Sequence, residues 1–174
     1  MNNLFKKVFL MAALVAGVSY MSKAQGFEPG AGFTQANFGV GVSTWGVPIY
    51  AGMDFGVSDK ITIGPRVSYR RYNYGYYGLT SRDYHSSIFN ISFRGDYHYG
   101  AHIPALPDQL DLYGGLSLGY SVWSDKYDWY KSRDGLYLTL QAGARWYFNN
   151  NWGANAEVST GSFTGLEIGL SYRF

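Results

Sequence analysis

The sequence predicts an all-β protein: an eight-stranded antiparallel up-and-down transmembrane β-barrel preceded by a cleaved signal peptide. Three observations carry that prediction. Residues 166–174 alternate without a break, with Leu166, Ile168, Leu170, Tyr172 and Phe174 on one face and Glu167, Gly169, Ser171 and Arg173 on the other. Seven further segments alternate in the same way. Two of the connections at one end are long and two at the other end are very short, as expected where the two ends of a barrel meet different surroundings.

The chain opens with Lys6 and Lys7, an apolar run over 8–18, and Ser22-Lys23-Ala24, a small-x-small cleavage site. Residues 1–24 therefore read as a signal peptide and 25–174 as one barrel domain. The apolar run is too short to cross ~30 Å of hydrocarbon comfortably. Removing Lys6, Lys7 and Lys23 lowers the basic count from 14 to 11 against 12 acids, so the net charge becomes −1 rather than +2. No basic excess remains to argue for nucleic acid. The absence of cysteine excludes a lipid-modified N-terminus, a disulfide framework and thiolate metal sites. A mean hydropathy of −0.17 is compatible with membrane strands, because alternation averages away their apolar half.

The first strand, over 33–43, sets Ala36, Phe38, Val40 and Val42 against Gln35, Asn37, Gly39 and Gly41. The second, 47–57, opposes Ile49, Ala51, Met53 and Phe55 to Tyr50, Gly52, Asp54 and Gly56. In the third, 61–70, Ile63, Val67 and Tyr69 face away from Thr62, Arg66, Ser68 and Arg70; Pro65 interrupts it and predicts a bulge or a later start. The fourth, 87–99, places Phe89, Ile91, Phe93 and Tyr97 opposite Asn90, Ser92, Arg94, Asp96 and His98. The fifth, 111–122, has Leu112, Leu116, Leu118, Tyr120 and Val122 on its apolar face. The sixth, 135–148, runs Leu136, Leu138, Leu140, Ala142, Ala144, Trp146 and Phe148 against Tyr137, Thr139, Gln141, Gly143 and Arg145. The seventh, 152–160, opposes Ala154, Ala156 and Val158 to Asn155, Glu157 and Ser159, and 166–174 completes the set. Most segments approach the ~9–11 residues that cross a bilayer at a tilt.

With both mature termini inside, the third and fifth connections (71–86 and 123–134) face outward and hold 16 and 12 residues. Turns 58–60 and 149–151 are short, whereas 100–110, with Pro104 and Pro107, is an unusually long inner turn. Phe55, Tyr97, Trp146, Phe148, Trp152, Tyr172 and Phe174 are expected in an inner aromatic girdle, and Trp45, Tyr69, Tyr120 and Trp123 in an outer one. A soluble lipocalin-like barrel is the structural rival, but it has no reason for two such belts.

An eight-stranded barrel has an interior just wide enough for side chains. Its expected lining carries Arg66, Arg70, Arg94, Arg145 and Arg173 against Asp54, Asp96, Asp111, Glu157 and Glu167. Balanced charge favours a plug over a conducting path, since selective pores use rings of one sign. A narrow ion pathway is the alternative.

The C-terminal strand resembles that of small bacterial outer-membrane β-barrel proteins of the OmpA/OmpX-like, porin-family type, and the resemblance extends over the mature chain. It implies location in the outer membrane, contact with its lipid and lipopolysaccharide, and reading of Leu166, Ile168, Leu170, Tyr172 and Phe174 by the barrel-assembly machinery. It implies no catalytic residue, cofactor or metal, and leaves any extracellular ligand unnamed. Envelope integrity or surface binding is the expected role.

Outward display would fall to Tyr72, Tyr74, Tyr76 and Tyr77 in the third connection and Trp129 and Tyr130 in the fifth, because tyrosine offers large amphipathic contact area at low entropic cost. The competing reading is girdle residues rising above the membrane, with basic groups on lipopolysaccharide phosphates. His85-x-Ser87 is similar to the His-x-Ser of lipid A deacylases, with Asp83 as the available carboxylate, but that family places its motif late in the barrel. Residues two apart on one strand are also stretched for a hydrogen-bonded relay. His98 and His102 lack a committed third metal ligand.

Overall fold

The computed structural model describes residues 27–75, 83–124 and 134–174. Eight strands follow one another in chain order: β1 Thr34–Ser43, β2 Val47–Ser58, β3 Ile61–Gly75, β4 Asp83–Tyr97, β5 Leu110–Ser124, β6 Gly135–Tyr147, β7 Trp152–Gly161 and β8 Gly165–Arg173. Each pairs antiparallel with its neighbour, and β8 returns to β1 to close the barrel. The closing ladder runs from Gln35↔Arg173 to Ser43↔Gly165. It is extended by a bond from the Phe174 N–H to the Thr34 carbonyl at 3.1 Å. Closure leaves no unpaired edge, which is the condition for backbone to cross hydrocarbon.

Burial is inverted relative to a water-soluble protein. Among the described residues, six large hydrophobic side chains are buried and thirty are exposed, including Phe38, Ile91, Phe93, Leu118, Leu138 and Ile168. The buried set is polar: Gln35, Asn37, Asp54, Asn90, Arg94, Asp96, Gln141, Arg145 and Glu157 among others. The period-2 alternation decides this, sending most apolar positions outward and most polar ones into the lumen, with Ile88, Tyr50, Tyr113 and Tyr147 among the inward exceptions.

Three strand-level expectations change. Pro65 neither bulges β3 nor delays it: the β4 ladder passes through Pro65↔Phe93, and the only register shift against β2 falls between Gly56 and Ser58. The missing proline donor is absorbed by a pairing gap on the β2 side, between Gly52↔Arg66 and Phe55↔Ile63, without loss of register. The third connection is shorter than the 71–86 expected, because β3 and β4 stay paired from Arg71↔Ser87 out to Gly75↔Asp83. Tyr72 and Tyr74 are thus strand residues opposite Ser86 and Tyr84, as the β-propensity of a Tyr-x-Tyr run favours. Tyr76, Tyr77, Trp129 and Tyr130 lie outside the described residues, as does the expected signal peptide. The long inner turn begins with a 3₁₀ turn, Tyr99–His102.

The outer girdle is also corrected. Tyr69 and Tyr120 face outward, but Trp123 shares the inward register of Ser117 and Ser121 and donates from Nε1 to Ser121 Oγ at 3.4 Å. Its ring meets Trp45 edge-on at 5.2 Å. Trp45 lies in the β1–β2 turn, four strands round the barrel from β5, so the two indoles meet across the outer mouth. On the inner side, Trp152, Tyr172 and Phe174 form a continuous edge-to-face series at 4.8 and 5.2 Å.

Candidate functional site in the barrel lumen

Strands β2, β5 and β6 bring Asp54, Asp111 and Arg145 together in the inner half of the lumen. Arg145 Nη2 donates to Asp54 Oδ2 at 2.7 Å and Nη1 to Asp111 Oδ2 at 3.1 Å. All three side chains are about 1% exposed. Asp111 also meets His98 Nδ1 at 2.7 Å, and His98 Nε2 lies 3.0 Å from Thr62 Oγ1. Asn37 Nδ2 donates to Asp54 at 2.9 Å.

A second cluster sits further out. Arg94 donates to Asp96 at 2.6 Å and to Glu157 at 2.7 Å; Arg66 donates to the other oxygen of Glu157 at 2.9 Å and to Glu167. Gln141 Nε2 adds a bond to Asp96 at 2.9 Å. Tyr113 joins the clusters: its hydroxyl donates to Glu157 at 2.9 Å, while Arg145 and Arg94 lie 4.0 and 5.7 Å from its ring centroid. Each of the five carboxylates therefore touches an arginine, which offsets the cost of removing them from water. Opposed glycines make the room: a Cβ on Gly143 would collide with the Tyr113 hydroxyl, and one on Gly169 with that of Tyr50.

Eight of the ten expected lumen charges thus converge, and two stand apart. Arg70 donates to Ser43 and Ser68 hydroxyls at 3.2 and 3.3 Å, and its guanidinium lies 4.5 Å from the Phe163 ring. Arg173 lies 3.5 Å from the Tyr147 ring and 5.1 Å from Phe27. Neither reaches a carboxylate among the described residues. Sequence reasoning missed Thr62, His98, Tyr113 and Gln141 as members of the network, although the inward register they share with the charges marks them. It also missed Phe163 and Phe27, which lie outside the strands, where alternation says nothing. Phe163 packs edge-on against Tyr137 at 5.0 Å over the outer end.

Space in the lumen is small. A polar cavity of about 50 Å³, lined by Arg66, Arg70, Tyr137, Glu167 and several hydroxyl and amide side chains, lies in the outer half. At ~10–15 Å³ per water it holds a few molecules.

Thr62, His98 and Asp111 are ordered like a nucleophile, base and acid, yet each is 0 or 1% exposed, with the Phe27 ring 5.7 Å from that of His98, so the trio is closed to substrate in this structure. His102 stands outside the lumen, stacked on Tyr97 at 5.8 Å, so the two histidines do not converge on a metal. Ser87 Oγ is bonded to Tyr69 OH at 2.9 Å, and the Asp83 and His85 side chains lie outside the described residues.

Residues 8–174 match the family described as the outer membrane protein beta-barrel domain. No curated protein matches the chain. Among solved structures, OprG of Pseudomonas aeruginosa aligns with a TM-score of 0.64 at 14% identity, covering 86% of this chain and 98% of that one. Ail of Yersinia pestis in a phospholipid nanodisc gives 0.54 at 14% identity, covering 82% and 99%. A de novo designed transmembrane β-barrel gives 0.53 at 17% identity, covering 85% and 100%. Likeness to a designed barrel makes plain that the shared element is architecture rather than activity. The chain belongs to the outer membrane protein β-barrel domain family, and its place is the bacterial outer membrane.

Proposed function

We propose that the protein is a non-enzymatic barrel whose lumen is plugged by its own charges and whose outward connections serve envelope integrity or surface binding. One observation carries the reading: among the described residues, two linked ion clusters occupy the bore, beside a polar cavity of about 50 Å³. A balanced, hydrogen-bonded lining offers no single-sign ring for a passing ion. The barrel is expected to contact outer-membrane lipid and lipopolysaccharide, and to reach the membrane through the barrel-assembly machinery after removal of residues 1–24.

The purified barrel in planar bilayers should show little or no steady conductance. Large, steady, ion-selective channels would overturn the plug in favour of a narrow pore. The surface role is supported by the hairpin that continues β3 and β4 outward to Gly75↔Asp83 with tyrosines along it. Ail has been crystallised with the heparin analogue sucrose octasulfate, so a barrel of this architecture can hold a polyanion. A binding screen against envelope lipids, glycans and matrix proteins, repeated with Tyr74, Tyr76 and Tyr77 changed to Ser, tests that part. A change in lipid A acylation caused by His85→Ala or Ser87→Ala, and not by the tyrosine changes, would instead mark a deacylase-like enzyme.

A further inference from the structure

Most of the buried interior is polar, yet a phenylalanine that precedes the first strand is buried in it. Phe27 is 8% exposed. Its ring stacks on Tyr147 at 5.4 Å and 23°, lies 5.7 Å from His98, and meets Phe33 edge-on at 5.5 Å. The Arg173 guanidinium, which has no carboxylate partner among the described residues, lies 5.1 Å from the same ring. Tyr147 and Arg173 come from the inner ends of β6 and β8 and His98 from the β4–β5 turn, so Phe27 covers the mouth from above several strands at once.

The residues after it cross the opening as a strap. Pro29 is fully buried, Gly30 N–H bonds the Glu28 carbonyl at 3.1 Å, and Phe33 N–H bonds that of Gly30 at 3.1 Å. Lys60 in the β2–β3 turn stands 3.8 Å from Glu28. Gly56 is the floor beneath the strap: a Cβ there would collide with the Gly30 carbonyl and lie 2.6 Å from that of Pro29. A chain segment ahead of β1 is free to lay an aromatic ring against lipid, as the rest of the barrel does. This one turns inward, over cation and imidazole.

We propose that residues 27–30 are a strap that stoppers the periplasmic mouth of the barrel, with Phe27 as the stopper and Arg173 and Tyr147 as its seat. The strap keeps periplasmic water from the Arg145 cluster, where exclusion of water strengthens each ion pair. The proposal deepens the closed-lumen reading and rests on it, but it assigns closure of one end to a named segment.

The chain has no cysteine, so a single introduced thiol reports access cleanly. Ser171 is fully buried and one inward position deeper than Arg173; Ser68 lines the outer cavity and serves as the control. The refolded barrel carrying Ser171→Cys or Ser68→Cys is treated with a small cationic methanethiosulfonate reagent. Only the fraction that keeps its heat-modifiable mobility is scored. Adding Phe27→Ala should accelerate labelling at position 171 by at least about tenfold and leave position 68 within about twofold, because modification of a buried thiol tracks local opening. Gly56→Ala should do the same by lifting the strap without touching the ring, and Phe27→Trp should keep the protection. Unchanged labelling at position 171 in both opening variants would overturn the strap, as would equal acceleration at both positions. Failure of the strap with a non-conducting wild type would leave the plug intact. Steady conductance in Phe27→Ala, with faster labelling, would uphold the strap and remove the ion clusters as a sufficient plug.

Discussion

Removing the Arg145 side chain should destabilise the barrel far more than removing Arg70, although both arginines are buried. Arg145 is the only arginine within salt-bridge distance of Asp54 and Asp111 among the described residues, at 2.7 and 3.1 Å, and all three side chains are about 1% exposed. Arg145→Ala strands two carboxylates in a site that water enters poorly, with the neutral amides of Gln35 and Asn37 left on Asp54 and His98 left on Asp111. Breaking a buried pair in this way costs ~3–5 kcal/mol. Among the described residues Arg70 donates to neutral groups, the hydroxyls of Ser43 and Ser68 and the side-chain amide oxygen of Asn90. Its loss orphans no charge and forfeits hydrogen bonds worth ~0.5–1.5 kcal/mol each.

Reversible denaturant unfolding in lipid vesicles, followed by tryptophan fluorescence, measures the difference. At ~1.4 kcal/mol per factor of ten, the Arg145→Ala unfolding constant should rise by roughly two to three and a half decades. A triple variant, Arg145→Met with Asp54→Asn and Asp111→Asn, should recover most of the loss, since replacing a whole buried ion cluster is often neutral. A cost below ~1 kcal/mol for Arg145→Ala, or no recovery in the triple variant, would refute the view that these charges hold one another in a dry lumen.

The terminal strand and the outward hairpin give two further tests. Deleting Phe174, or changing Leu170 to Asp, should abolish insertion: the first removes the aromatic end bonded to Thr34, the second puts an acid on the lipid face at a cost somewhat below the ~2–4 kcal/mol of a basic residue at mid-bilayer. Outer-membrane levels of both variants on immunoblots check this, and normal levels would reject the strand as an assembly signal. Trypsin on intact cells should cut at Arg82, beyond the ladder, and spare Arg71, which is paired with Val47 and Ser87, and Lys60 in the inner turn. Fragment masses decide, and a cut at Lys60 would reverse the topology.

What was legible follows from one periodicity. Alternation names the face of a residue inside a strand, so β6 could be read residue by residue, and Arg145 and Glu157 could be placed in the lumen without coordinates. It could not say which charges meet, because that depends on ladder register around the ring. Arg66 and Glu157 come from strands four apart, β3 and β7, and only the closed geometry puts them 2.9 Å from each other. Strand ends were less legible, since Tyr72 and Tyr74 read equally as loop or strand and only pairing out to Gly75↔Asp83 decides.

The ends of the bore were the least legible of all, and for a physical reason. Within the wall, an aromatic residue on the apolar parity goes to lipid. At the mouths the wall stops, and a ring can reach over the opening instead. Trp123 follows the inward parity and meets Trp45; Phe163 leaves the β7–β8 turn to lie over Arg70; Phe27 precedes β1 and covers Arg173. Among the described residues, the two lumen arginines without a carboxylate each lie against a phenylalanine, whereas Arg66 and Arg145, which have carboxylates, lie over tyrosines. An arginine near a barrel end can meet water, a carboxylate or an aromatic face, and its guanidinium is attracted to the last through the ring quadrupole. Charge balance over the whole lumen therefore overstated the ion pairing. The charges that pair with one another, three arginines and five carboxylates, fill the middle of the bore, and the two arginines left over at its ends lie against phenylalanines that no alternation rule assigns.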